Sequence, residues 1–168
     1  MKRAAIISIS GSGRSTFAKK LHKKTGLDLY HLDTYFWNEG WETTPREEWK
    51  GIHKELISKD KWIIDGNYGA DIHLRMKYAD TIFFFDFDRI RVILSILKRR
   101  VMYHNSTRPD MSDGCPERLD LDFLRWVWNY PNDERDDLLK NMEEVDGKKI
   151  IIFNNKDDVE IYLLNFEL

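Results

Sequence analysis

The chain has 168 residues, 42% of them hydrophobic and 13% aromatic, which is long enough for one domain with a sizeable core and short for two. Four prolines and nine glycines exclude a collagen-like repeat, and the single cysteine, Cys115, excludes an intramolecular disulfide or a site built from several thiolates. Lys and Arg number 27 against 29 Asp and Glu, a net charge of -2, so direct nucleic-acid binding is not expected.

In chain order, Met1-Lys2-Arg3 leads into an apolar stretch, Ala4 to Ile9, too short to span a membrane and followed by a glycine turn and a basic segment. A soluble, cytoplasmic protein with no membrane partner is the expectation. Five short apolar runs then recur: Ala4 to Ser10, Leu29 to Leu32, Trp62 to Ile64, Ile82 to Phe85 and Ile150 to Phe153. Several are apolar throughout instead of alternating, as strands covered on both faces are. Between them lie helical patterns. Thr44-Pro45-Arg46-Glu47 has capping-box spacing with proline at the first helical position, and Trp49, Ile52, His53, Leu56 and Ile57 share the face behind it. Ile90, Ile93, Leu94, Leu97 and Val101 form a second stripe. Alternating strands and helices predict a parallel, doubly wound α/β sheet.

From about Val101 to Pro131 the rhythm breaks. The polar turn His104-Asn105-Ser106-Thr107-Arg108-Pro109-Asp110 opens an insertion that continues as a short helix ending near Pro131. A further helix follows, with Leu138, Leu139, Met142 and Val145 on its apolar face. The whole of 1–168 reads as a single domain carrying a lid over about 101–131.

The most informative segment is Ser8-Ile9-Ser10-Gly11-Ser12-Gly13-Arg14-Ser15-Thr16, which follows the first strand and opens a helix. It approximates the phosphate-binding loop G-x-x-x-x-G-K-[ST], with Ser8 at the first glycine and Arg14 at the lysine. Gly11 and Gly13 let backbone amides turn toward phosphate oxygens, and the helix N-terminus adds attraction for an anion. Gly11, Ser12, Gly13, Arg14, Ser15 and Thr16 are therefore the candidate nucleotide-binding residues, with Ser15 ligating magnesium through its hydroxyl. Arginine at position 14 keeps the charge but replaces a compact ammonium by a fork.

The G-S-G-R-S-T run, then L-Y-H-L-D-T-Y-F-W at 29–37, W-I-I-D-G-N-Y at 62–68 and R-P-D-M-S-D-G-C-P-E-R-L-D-L-D-F-L-R-W-V-W-N at 108–129, resemble the bacterial DNA topology modulation proteins. These are small P-loop proteins related to adenylate kinase and other small-molecule kinases. The resemblance implies a three-layer P-loop fold, a five-stranded parallel sheet with helices on both faces and a helical lid insertion. It also implies ATP and Mg2+ as cofactors.

In such kinases an aspartate at the place of Asp33 contacts the phosphate acceptor, so Asp33 is a candidate to take the hydroxyl proton or orient the acceptor; a helix N-cap is the alternative. Asp65, ending an apolar strand, matches the second magnesium-holding element of P-loop proteins, which usually acts through water. Gly66 would let substrate approach the backbone, and Asn67 would lie beside the acceptor. Lid arginines over the transferring group are expected from Arg99, Arg118 and Arg125, with Arg108 held in reserve. Arg75 reads as a solvated surface arginine, Asp86 as structural, and Asn154 to Asp157 as either the adenine-bracketing loop or a turn plus N-cap. Trp37 and Trp41 read as an acceptor wall or as packing.

The activity implied is an ATP- and magnesium-dependent phosphotransferase acting on a nucleotide or small hydroxyl compound. Its partners would be a nucleoside triphosphate and a small-molecule acceptor. The alternative is a nucleotide-binding regulatory protein whose turnover is weak or absent because of Arg14.

Overall fold

A computed structural model describes residues 1–166. The five apolar runs form one parallel sheet: β1 (Arg3–Ser8), β2 (Leu29–His31), the third core strand β5 (Trp62–Asp65), β6 (Thr81–Phe85) and β7 (Lys149–Phe153), numbered to leave β3 and β4 for a small hairpin between the second and third. The order across the sheet is β2-β5-β1-β6-β7, with β1 at the centre. Ala4 pairs with Ile63 on one side and Thr81 on the other, and Ile6 pairs with Asp65 and Phe83. Ala4 to Ile7, Trp62 to Ile64 and Ile82 to Phe84 are fully buried, which is why these strands carry no polar alternation.

Helices cover both faces: α1 (Arg14–Thr25), α3 (Arg46–Ser58), α4 (Gly69–Tyr78), α5 (Arg89–Met102), α6 (Leu121–Asp133), α7 (Arg135–Glu143) and α8 (Lys156–Leu164). A one-turn α2 (Asp33–Phe36) follows β2. Phe17 of α1 meets Phe83, Phe85 and Phe153 edge to face at 4.9–5.4 Å, joining helix to sheet under the glycine loop. Burying one such ring contributes about 1.5–3 kcal/mol. Among the described residues no helix is long and apolar enough to cross a membrane.

Four local features differ from the sequence expectation. Most of the apolar stripe on α5 faces outward: Val92 and Ile96 are buried and Ile93 packs half-buried against the core, whereas Ile90, Leu94, Leu97 and Val101 are 39–78% exposed. The helix carries apolar residues on opposite sides, and periodicity alone does not say which side meets the sheet. The Thr44-Pro45 signal does not form a capping box. Pro45 is the N-cap residue, with no side-chain cap bond, and the Thr44 hydroxyl instead donates to the Tyr35 carbonyl at 2.7 Å. Pro131 lies inside α6 instead of ending it. Finally, β3 (Trp37–Asn38) and β4 (Glu42–Thr43) pair as a small antiparallel hairpin, with two-residue strands too short to leave a periodic signal.

Candidate active site

The carboxyl ends of β1, β2 and β5 open onto one crevice, as the centre of a doubly wound sheet does. β1 runs into a loop whose Gly11 and Gly13 have φ of +96° and +91°, a region closed to most side chains. Gly11 is constrained twice, since a Cβ there would lie 2.7 Å from Ile96 Cγ1. Ser8 and Ser12 join their hydroxyls at 2.6 Å beneath the loop, filling with a buried hydrogen bond the place where the motif has glycine.

Arg14 does not extend freely along the loop. Its guanidinium is buried, with Nε 2.8 Å from Asp65 Oδ1 and Nη2 3.5 Å from Asp33 Oδ2, while Nη1 donates to the Ser8 carbonyl at 3.1 Å. Burial disfavours its charge, and Asp65 and Asp33 more than restore it. Asp65 is 2% exposed, and its other oxygen meets His31 Nδ1 at 2.7 Å. Burial alone would raise the Asp65 carboxyl; Arg14 first, then His31 and the Ser15 hydroxyl, bring it below the usual carboxylate range. The β2–β5 register sets His31 beside Asp65.

Asp33 starts α2 as its first residue and makes no N-cap bond. Its Oδ1 accepts the Tyr68 hydroxyl proton at 2.6 Å, and burial with the Asp33 charge pushes the Tyr68 phenol far above its usual range, fixing it as the donor. Two cavities meet here. One, about 320 Å³, runs along the glycine loop past Ser15, Thr16, Lys98 and Lys156. The other, about 280 Å³, is walled by Trp37, Trp41, Phe123 and Trp126 and reaches Asn67. Ser10, Arg14, Asp33, Arg99 and Arg108 border both.

The insertion lies against the segment that follows β2. Trp41 Nε1 donates to the Pro116 carbonyl at 3.1 Å, Ser112 Oγ to Thr34 at 2.9 Å and the Gly40 amide to Gly114 at 3.0 Å. The buried Cys115 thiol bonds the Asn38 carbonyl at 3.0 Å, a packing contact. Inside, Glu117 accepts Arg99 Nε at 2.9 Å on one oxygen and faces Arg108 Nε at 2.9 Å with the other; Arg108 also donates to Asp110 at 3.1 Å. Arg118 lies over the Trp41 ring at 4.7 Å, with Asp120 at 3.9 Å.

Of the sequence candidates, Gly11, Gly13, Arg14, Ser15, Thr16, Asp33, Asn67, Arg99 and Arg118 border these cavities, and Ser12 and Asp65 support their walls from behind. Three expectations are corrected. Arg125 is outside the site: its side chain is 79% exposed and faces Asp122, because Phe123 and Trp126 occupy the inward face of α6. Gly66 lines neither cavity and serves close packing, since a Cβ there would lie 2.7 Å from Leu32 Cβ. Arg75 is fully buried, not solvated; Nη2 donates to the Gly66 carbonyl at 2.7 Å, and burial with the nearby Arg14 charge lowers its pKa to about 10. Asp86 is structural as expected, held by both arms of Arg135 at 2.8 and 2.6 Å. Asn155 forms a capping box with Asp158, the turn-plus-cap alternative.

Sequence reasoning passed over His31, Tyr68, Glu117, Phe123 and Trp126. The strand register placed His31, and spacing of Phe123 and Trp126 on one helical face was the available signal for those two.

The residues fit a nucleotide better than they fit a protein-held metal. The glycine loop and α1 N-terminus present a cradle, and the Ser15 hydroxyl lies on its wall. Asp65 has both oxygens engaged and does not fit as a direct Mg2+ ligand. Among the described residues no cluster of His, Cys, Asp or Glu is fit to hold a metal alone; nucleotide-bound Mg2+ takes most of its ligands from phosphate and water.

No protein-family model matches the chain, and no curated protein sequence matches it. Solved structures do. The chain is similar to a gluconokinase from Sinorhizobium meliloti 1021 at 12% identity and a TM-score of 0.55, covering 97% of this chain and 90% of that one. It is similar to deoxyadenosine kinase from M. mycoides, solved with bound dATP, at 14% identity and a TM-score of 0.51 over 98% of both chains. Shikimate kinase from Bacteroides thetaiotaomicron matches at 14% identity and a TM-score of 0.50, over 97% of this chain and 94% of that one. The sheet order, the glycine loop after β1 and these likenesses together give the chain the fold of the P-loop small-molecule kinases.

Proposed function

We propose that the protein is a phosphotransferase using ATP with Mg2+ to phosphorylate a hydroxyl group on a nucleotide or small molecule. The observation that carries this reading is the meeting of two cavities at Arg14 and Asp33. A triphosphate on the glycine loop would direct its terminal group at that junction, and an acceptor in the aromatic cavity would reach it from the other side. Bound Mg2+, held by Ser15 and the phosphates, would offset the charge of the transferring group. Asp33 Oδ2 is the atom placed to orient the acceptor hydroxyl and hold its proton, while Oδ1 stays with Tyr68. Arg14 braces Asp33 against Asp65, and the docked insertion excludes water.

Two measurements test this. ATP at about 100 times its dissociation constant contributes about 2.7 kcal/mol, a rise in melting temperature of roughly 5–10 °C for a domain of this size. ADP release from ATP should then depend on both Mg2+ and an acceptor. A melting curve unmoved by millimolar nucleotide would remove the reading.

One observation favours a second reading, a nucleotide-binding regulatory protein with weak turnover: Arg14 is tied to two carboxylates and a carbonyl. Arg14→Lys decides between them. Increased turnover marks the arginine as a brake; reduced turnover marks a loop adapted to the fork.

A further inference from the structure

The outward face of α5 carries a pattern that phosphoryl transfer does not use. Ile90, Leu94, Leu97 and Val101 are all exposed, and they follow one another at steps of four, three and four residues. On a helix these steps gather the four side chains into a sector about 60° wide, on the side away from the buried Val92 and Ile96. Four-three spacing is the a and d repeat of a coiled-coil seam, a strip narrower than a sheet-facing stripe and of the width one helix offers another. The seam runs about 17 Å, three turns of helix. Aliphatic side chains lined up in water forgo the stabilisation of burial, and a contiguous apolar surface of this kind marks a contact face.

Charge decides which helix fits. α5 contains five basic residues and no acidic one. Arg89 is engaged within the chain, over the Trp128 ring at 4.2 Å, and Arg99 by Glu117 at 2.9 Å. Arg91 and Lys98 stand on one flank of the seam and Arg100 on the other, the positions at which a coiled coil chooses its partner by charge. Asp88 does not offset them, because its carboxylate caps the helix by accepting the Ile90 and Arg91 amides at 3.0 and 3.3 Å. Two α5 helices placed seam to seam would bring only cations to the flanks, which disfavours a second copy of the same face. A lipid surface fits less well, since an interfacial helix sinks a broad apolar sector into the headgroups. We propose that the outer face of α5 docks an amphipathic helix of another protein, one with an aliphatic seam of its own and Asp or Glu along both flanks.

The test titrates the full chain into two labelled, stapled helical peptides of two heptads each, with Leu at every a and d position. One is flanked by Glu and the other by Lys, and fluorescence anisotropy reads binding. The Glu-flanked peptide should bind at least about tenfold tighter, by a margin that shrinks as salt is raised. Leu94→Gln, a neutral change in the seam, should weaken that binding about tenfold and leave the melting temperature in place, because Leu94 is exposed; if it fails to fold, Leu97→Gln decides. Arg91→Glu should narrow the preference between the peptides by about threefold or more. Equal binding of the two peptides overturns the proposal, as does binding of neither. Sedimentation of the chain alone and flotation with phosphatidylserine vesicles supply the other two outcomes. A dimer that Leu94→Gln dissolves would make a second copy the occupant and overturn it, and vesicle binding that Leu94→Gln abolishes would do the same in favour of a lipid surface.

Discussion

The two halves of the crevice are made of different material. The donor half is built on backbone: two glycines at positive φ, the loop amides and the start of one helix lie within seven consecutive residues, and Lys98 and Lys156 add side chains from α5 and α8. The acceptor half is mostly side chain, drawn from the segment after β2, the end of β5, the insertion and α6. Backbone geometry tolerates change in neighbouring residues, provided the glycines stay. A wall of rings and ion pairs depends on every contributor. Substitutions should therefore separate the two halves, with the acceptor half failing one residue at a time.

The largest effect is expected where the halves meet. Asp33→Asn keeps the Tyr68 hydrogen bond but removes the proton acceptor, so turnover should fall roughly 10²- to 10⁴-fold with the ATP-induced melting shift unchanged. Loss of that shift would place Asp33 in nucleotide binding and blur the division.

Asp65→Asn acts on the brace between them. It leaves Arg14 with less than its full counter-charge in a buried site, and removing one partner of such a pair costs about 3–5 kcal/mol. It should also change the acid limb of stability. The Asp65 carboxyl is lowered in the folded state, so the unfolded chain binds more protons around its ordinary value of 3.8. This contribution is complete above about pH 4–5 and is lost as pH falls through the lowered folded value. Denaturation against pH should show a shallower acid limb in the variant; an identical limb would mean the carboxylate is not engaged as described.

Gly114→Ala perturbs the contact between the insertion and the segment after β2. At φ +76° and with a Cβ that would press into the Glu39 side chain, alanine should cost about 1–3 kcal/mol and speed proteolysis between Ser106 and Gly114. Nucleotide binding should stay put. Smallest of all is Arg125→Ala, expected within about 0.5 kcal/mol of the parent and without effect on turnover, against a clear loss for Arg118→Ala.

The same division explains what could be read before the fold was known. Strands that are apolar throughout, and a glycine loop between strand and helix, are local patterns, so the sheet and the donor half were visible in the sequence. Asp33 and Asp65 were visible because Asp65 ends β5 and Asp33 follows β2 by two residues, at the same edge of the sheet. The partners that decide their chemistry were not: Tyr68 reaches Asp33 across 35 positions and His31 reaches Asp65 across 34, through a strand order that no single segment encodes. Arg75 misled for a related reason. An arginine on a helix is normally solvated, and its burial follows from the Gly66 carbonyl and His53 lying beneath it. Arg125 carries the right charge on the wrong face of α6, because Phe123 and Trp126 take the inward one, a choice of face that charge alone does not reveal.

The hydrogen bond from the Gly40 amide to the Gly114 carbonyl ties the insertion to the segment after β2, 74 positions apart in the chain. That amide exchanges with solvent only as often as the two segments part. Gly40 is thus a built-in clock. Its deuterium uptake counts those partings in the free protein, and slower uptake with an acceptor bound measures how far the ligand holds the two segments together.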